Sequence, residues 1–220
     1  MQANVSNENK NHMKSNHAKY EEIPSPNLYH DKNFNISAVK ILPGEYYVTK
    51  RDLALVTVLG SCVAACIRDR HSGTGGMNHF MLPGDTGNAG NPADLSSPLA
   101  HYGTYAMEKM INDLLKMGAK RNNLQAKLFG GGNVMKGFTV NNVGERNAEF
   151  ALNYLQTEKI ELLAKDLLDV YPRKIYFFPN SGKVLVRKLR NVHNDTILER
   201  EQQYRSRIMV STAQGRVDLF

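Results

Sequence analysis

A chain of 220 residues, 41% of them hydrophobic, can bury one substantial core with extensions or at most two small domains. Its formal charge of 28 − 21 = +7 comes from basic residues scattered along the chain, with only local clusters such as Arg187, Lys188 and Arg190, which argues against nucleic acid and leaves a solvated basic face or an acidic protein partner. Two cysteines are too few for a secreted disulfide scaffold, and the longest nearly apolar stretch, Val56 to Ile67, is too short to span a bilayer, so a cytoplasmic protein without membrane insertion is expected.

Residues 1 to 36 are polar and asparagine-rich, with Pro24 and Pro26, and read as a flexible tail that cannot offset its own ordering entropy. Residues 46 to 58 alternate loosely and read as a strand, broken at Leu59-Gly60-Ser61. Val63 to Asp69 is a second strand, closed by the turn-rich run from Arg70 to Gly75. Met77 to Leu82 is a third, ended by Pro83-Gly84. Residues 84 to 97 form a loop too long for a simple connector. Ser97-Pro98 starts a helix whose Tyr102, Tyr105, Ala106, Met110, Leu114 and Met117 share helical spacing, and Gly118 stops it.

Ala126 to Phe129 is a short strand leading into Gly130-Gly131-Gly132. A second helix is expected from Glu145 to Leu155, then a strand over Ile160 to Lys165. Arg173 to Phe178 and Lys183 to Leu189 flank Asn180-Ser181-Gly182 as a hairpin. These elements predict an α+β fold of largely antiparallel sheets, with two main helices packed on the outside as a layered sandwich. The organisation expected is a tail over 1–36, one folded domain over 37–190 and a polar C-terminal extension over 191–220.

Chemistry concentrates at Gly60-Ser61-Cys62-Val63. A nucleophile works best at a sharp bend, where neighbouring N–H groups can converge on an oxyanion. His79 supplies the base if the second and third strands pair. Registers in which paired numbers sum to 141 or 143 put Cys62 and His79 on one face; a sum of 142 separates them. A Cys–His pair is what nucleophilic acyl transfer needs, whereas a satisfied core histidine is the bland alternative. Ser61 and Asn78, the immediate neighbours of the pair, are candidates for holding the oxyanion or positioning the substrate.

Leu59-Gly60-Ser61-Cys62-Val63 and Gly76-Met77-Asn78-His79-Phe80-Met81-Leu82-Pro83 resemble the signature of the chemoreceptor glutamine deamidases, the CheD family. Lys127-Leu128-Phe129-Gly130-Gly131-Gly132, Gly144-Glu145-Arg146-Asn147, Arg173-Lys174-Ile175 and Ser181-Gly182-Lys183-Val184 extend the similarity over residues 36 to 190, and Val217-Asp218-Leu219-Phe220 is similar too. The resemblance implies an enzyme that converts glutamine side chains in chemoreceptor cytoplasmic helices to glutamate, with Cys62 as nucleophile, His79 as base and Thr57 as the third catalytic residue. It implies no cofactor and no metal, and admits a chemotaxis phosphatase of the CheC type as a partner. One departure stands out: Asp166-Leu167-Leu168-Asp169 lies where the family has Asp-Leu-Gly-Gly.

Other readings carry less. Cys62 and Cys66 lack the further ligands a zinc site needs, and Cys66, inside a strand, reads as a small buried hydrophobe. The glycine triplet lacks the Gly-Lys-Ser/Thr ending of a phosphate loop and reads as a structural turn. Arg146 and Asn147 are candidates for shaping the site. A non-catalytic module docking on a phosphatase or receptor, and a thiol protease or transglutaminase, are the rival functions.

Overall fold

The computed structural model describes residues 27–83, 97–134, 143–190 and 195–213. Two five-stranded sheets lie face to face. The first runs β1 (Leu28–Asp31), β2 (Ile36–Lys40), β4 (Ala54–Leu59), β9 (Arg173–Phe178) and β10 (Lys183–Lys188). The second runs β3 (Tyr46–Thr49), β6 (Gly75–Asn78), β5 (Val63–Asp69), β7 (Leu124–Gly130) and β8 (Glu161–Leu167). Among the described residues only the β2–β4 and β7–β8 pairs are parallel, so the sheets are mixed but mostly antiparallel. This is the expected α+β class. No helix among the described residues is long and apolar enough to cross a membrane.

Strand alternation assigns each face of the second sheet a different partner. Val63, Ala65, Ile67, Phe80 and Leu82 face α1 (Pro98–Lys116) and α2 (Val143–Thr157) through Met107, Met110, Phe150 and Ala151. Cys62, Ala64, Cys66, Met77 and Met81 face the first sheet, meeting Leu55, Leu59, Ile175 and Phe177. The expected outer placement of both main helices therefore holds. At the start of α1, Ser97 Oγ accepts from Ala100 N–H at 3.2 Å, with proline in the first turn.

Several boundaries differ from expectation. The run 46–58 is not one strand. It turns a corner at Lys50-Arg51-Asp52, so Tyr46–Thr49 pairs in the second sheet and Ala54–Leu59 in the first. The third strand starts earlier and ends sooner, at Gly75–Asn78, with an isolated bridge from Val63 to Phe80. Gly75 and Gly76 pair within it on both sides, and glycine is required there because a Cβ at Gly76 would approach Val48 to 2.7 Å and one at Gly75 would approach Pro179 to 2.9 Å.

Structure also begins before residue 37: β1 pairs antiparallel with β2, and Phe34 stacks edge-on against Tyr176 at 4.9 Å. The C-terminal extension contributes a third helix, α3 (Asp195–Ala213). The loop over 84–96 and the ending over 217–220 lie outside the described residues.

Candidate active site

Cys62 stands where the chain leaves one sheet for the other. β4 ends at Leu59 and β5 begins at Val63, so Gly60, Ser61 and Cys62 belong to neither ladder. Their carbonyls are all held from behind. Gly132 N–H donates to the Gly60 carbonyl at 2.8 Å, Gly131 N–H to the Cys62 carbonyl at 2.7 Å, and Asn147 Nδ2 to the Ser61 carbonyl at 2.9 Å. The three N–H groups are left to converge on the opposite side, forming an anion-binding nest.

The glycine triplet makes this backing possible. Gly130 and Gly131 have φ of +111° and +65°. A Cβ at Gly130 would overlap the Cys62 carbonyl oxygen, and one at Gly131 would lie 2.7 Å from the Gly144 carbonyl oxygen.

His79 reaches the thiol through strand register. Cys66↔Met77, Ile67↔Gly76 and Arg68↔Gly75 pair, as do Val63 and Phe80, and each pair sums to 143. This is one of the two registers that place Cys62 and His79 on a common face, with His79 set diagonally. A ring nitrogen of His79, Cys62 Sγ and a carboxylate oxygen of Glu201 all lie within 4.8 Å of one another.

Thr57 fixes the imidazole from the other sheet. Its hydroxyl donates to the Ile41 carbonyl at 2.7 Å and lies 2.8 Å from His79 Nδ1. A hydroxyl has one proton. With that proton given to Ile41, the Thr57 oxygen accepts from Nδ1–H, so Nε2 carries the free lone pair. Nε2 is buried and has no hydrogen-bond partner. Burial holds His79 down to about 4, against the pull of the nearby Glu201 carboxylate, and the ring is neutral. Burial also pushes the Cys62 thiol well up, and the Glu201 charge pushes the same way. Both effects favour the protonated thiol.

Of the residues expected at the site, Cys62, His79, Thr57 and Ser61 are brought together. Asn78 is not. Adjacent to His79 on a strand, it points to the opposite face, where Oδ1 accepts from Ala65 N–H at 2.9 Å and Nδ2 approaches Met107 Sδ at 3.2 Å. It completes the β5 ladder and ties it to α1, so the side chain expected to hold the oxyanion or position substrate lies away from the thiol. Cys66 lies further along β5, opposite Met77 in the core between the sheets.

Asn147 joins the two halves of the site. It donates to the Ser61 carbonyl, and its Oδ1 accepts from Leu82 N–H at 2.8 Å, so one fully buried side chain ties the Cys62 loop to the His79 segment.

Glu201 of α3 was not anticipated. Its Oε1 accepts from Gly60 N–H at 2.9 Å and Cys62 N–H at 3.2 Å. Its Oε2 accepts from Ser61 N–H at 2.9 Å and Ser61 Oγ at 2.6 Å. Each oxygen thus has both acceptor positions filled. That leaves no lone pair for a metal, although thiol, imidazole and carboxylate lie close together. Nor is Glu201 the carboxylate of a triad, since Thr57 already holds Nδ1. A sequence signal existed: Ile197, Glu201, Tyr204 and Ile208 recur on one helical face, with a glutamate in an otherwise apolar series.

A buried thiol, a neutral imidazole with its free nitrogen nearby and a cup of N–H donors define a site for thiol attack on a carbonyl carbon. Comparison with known proteins narrows that class. The family described as CheD chemotactic sensory transduction matches residues 81–188. A protein of Methylobacillus flagellatus named "Probable chemoreceptor glutamine deamidase CheD" is 58% identical over 203 residues, 91% of this chain and 98% of its own length. Proteins of the same name from Thiobacillus denitrificans and a Janthinobacterium species are 58% and 59% identical, over 91% and 88% of this chain and 98% and 94% of their own lengths. The chain belongs to the CheD family.

Proposed function

We propose that this protein is a chemoreceptor glutamine deamidase, hydrolysing glutamine side chains on receptor cytoplasmic helices to glutamate and ammonia. One observation carries the reading: a thiol and an imidazole with its free nitrogen available lie beside three converging backbone N–H groups. The names of the relatives supply the substrate class.

The chemistry follows from the groups present. Nε2 of His79 takes the Cys62 proton, and the thiolate adds to the amide carbon. The developing oxyanion takes the nest of Gly60, Ser61 and Cys62 N–H groups, with Ser61 Oγ beside it. Imidazolium returns a proton to the leaving nitrogen, ammonia departs, and His79 then activates water to hydrolyse the thioester. Thr57 acts through His79, keeping the proton on Nδ1 and the lone pair on Nε2.

Beside the site is a cavity of about 360 Å³, lined by Lys40, Lys174, Thr57 and His79 and, from α3, by Arg200 and Glu201. The two lysines, which belong to the sheet, suit an acidic helix. A cytoplasmic location and docking on a chemotaxis phosphatase of the CheC type belong to the same reading and rest on the family resemblance.

The test is incubation of the purified protein with receptor cytoplasmic fragments, following ammonia and site-resolved mass. Selected glutamines become glutamate, free glutamine and short peptides turn over poorly, and the rate falls as salt rises. Equal turnover of free glutamine would defeat the receptor reading, and peptide-bond cleavage would move the chain to the proteases.

A further inference from the structure

The nest that should receive a substrate's amide oxygen is occupied by the protein's own carboxylate. Three backbone N–H groups and one hydroxyl converge on Glu201, and its oxygens lie beside the thiol and the imidazole. A glutamate side chain is also what deamidation of glutamine produces.

The helix carrying it is seated by more than this contact. Tyr204 hydroxyl hydrogen-bonds Tyr102 hydroxyl at 2.6 Å. Its ring lies against Gly44, where φ is +86° and a Cβ would come within 2.6 Å of the ring. Ile208 is 2% exposed in the core between the sheets, and Ile197 lines the cavity beside His79. Ile197, Glu201, Tyr204 and Ile208 form one face of α3, while Glu199, Gln202, Gln203, Ser206 and Arg207 are exposed. A whole helix thus carries Glu201 to the thiol.

We infer that α3 lies in the substrate-helix site as a built-in product analogue, so that a receptor helix must displace it before the enzyme can act. This rests on the deamidase reading and adds self-inhibition to it. The resting state fits: the carboxylate fills the oxyanion position, and its charge beside Cys62 disfavours the thiolate.

Position 201 is thereby a latent substrate. In a Glu201→Gln variant the carboxamide stands where the carboxylate stood. The Cys62 thiolate adds to its carbon, the C–N bond breaks and ammonia leaves with the proton from His79. Water then cleaves the C–S bond, restoring glutamate and the free thiol.

The experiment uses the full chain. Peptide mass spectrometry of purified Glu201→Gln protein should find glutamate at 201, with Gln202 and Gln203 unchanged as internal references. The double variant Glu201→Gln with Cys62→Ala should retain the introduced carboxamide. In parallel, Glu201→Ala should raise Cys62 labelling by iodoacetamide and deamidation of receptor fragments about tenfold or more, the loss of a charge-assisted hydrogen bond being worth at least that factor. Should either Glu201 variant fail to fold, Tyr204→Ala, which unseats the helix and keeps Glu201, should shift labelling in the same direction.

A carboxamide that stays intact at position 201 of the Glu201→Gln variant, in a protein that deamidates receptor fragments at the parental rate and with labelling unchanged, overturns the inference and leaves the deamidase reading standing. Its conversion to glutamate without turnover of any receptor fragment upholds α3 as a product analogue seated at the thiol but overturns the receptor reading and, with it, displacement by a receptor helix.

Discussion

At the scale of single residues, the two cysteines differ by where the backbone puts them. Cys62 lies between strands with its N–H turned into the nest, while Cys66 is paired inside β5 and packed between the sheets. Cys62→Ala should abolish ammonia release and leave the unfolding midpoint nearly unchanged. Cys66→Ser should retain turnover but lose about 1–3 kcal/mol, because it buries a hydroxyl with no planned partner. Equal loss of turnover in both folded variants would rule out a single nucleophile. His79 makes a second prediction, in which sign matters. Burial holds it at about 4 in the folded state against 6.5 for the free side chain. Between those values the unfolded chain binds more protons, so acidification favours unfolding. Stability should be flat with respect to this group above pH 6.5 and fall by a few kcal/mol as pH drops towards 4. Urea denaturation of the parent and of His79→Gln across that range should show a shallower acid loss in the variant. An identical pH slope in the two would mean that His79 is not the buried neutral group described.

At the scale of elements, strands with one partner on each face were legible because their patterns are local: β5, β9 and β10 fall within a residue of expectation. The corner at Lys50-Arg51-Asp52 was not, because β3 and β4 continue one apolar alternation while joining different sheets. Nor was the role of Glu201, since its place on an apolar helical face is a local pattern that does not point to a nest assembled from residues 139 to 141 positions earlier in the chain. The turn after β8 takes a left-handed backbone without glycine. Leu168 and Asp169 adopt φ of 64° and 75° where the family pattern has two glycines. Buried Arg173 holds the turn by donating to the carbonyls of Asp166 and Leu168, and Leu168 N–H donates to the Gly130 carbonyl at 2.8 Å. The strain thus borders the glycine turn that backs Cys62. Leu168 is 42% exposed and loses little packing on truncation. Leu168→Gly should therefore leave stability unchanged or raise it by up to about 1 kcal/mol, whereas Leu168→Val should lower it by about 1–2 kcal/mol, a β-branched residue being poorly tolerated at positive φ. Denaturant midpoints decide this, and a valine variant as stable as the glycine one would show that the turn is not strained.

At the scale of the whole molecule, the site is a product of two sheets meeting at a rim: Thr57 comes from one, His79 from the other, and Cys62 from the chain crossing between them. Its geometry therefore depends on how firmly the sheets are held together, including at their edges. β1 is such an edge. It pairs with β2 through Leu28↔Val39 to Asp31↔Ile36, and Tyr29 lines the cavity beside His79. The turn after it carries Phe34, packed on Tyr176 and Phe178 at 4.9 and 5.9 Å. Residues 1–26, by contrast, have a composition that supplies no core. Two truncations separate these contributions. Removing residues 1–26 keeps Asn27, whose carbonyl accepts from Lys40 N–H at 3.1 Å and whose Nδ2 donates to Glu45 at 3.2 Å. It should leave both the melting temperature and turnover of receptor fragments within error of the full chain. Removing residues 1–36 strips the edge strand from β2 and the Phe34 ring from Tyr176 and Phe178. That loss should cost on the order of 2–4 kcal/mol, from re-exposed apolar surface at about 25 cal/mol per Å² together with the lost ladder. Because β2 leads into Ile41, whose carbonyl orders Thr57 and through it His79, the longer truncation should also slow turnover below the melting transition. A longer truncation as stable and active as the shorter one would show that β1 is an ornament of the sandwich and that the His79 tautomer is held without it.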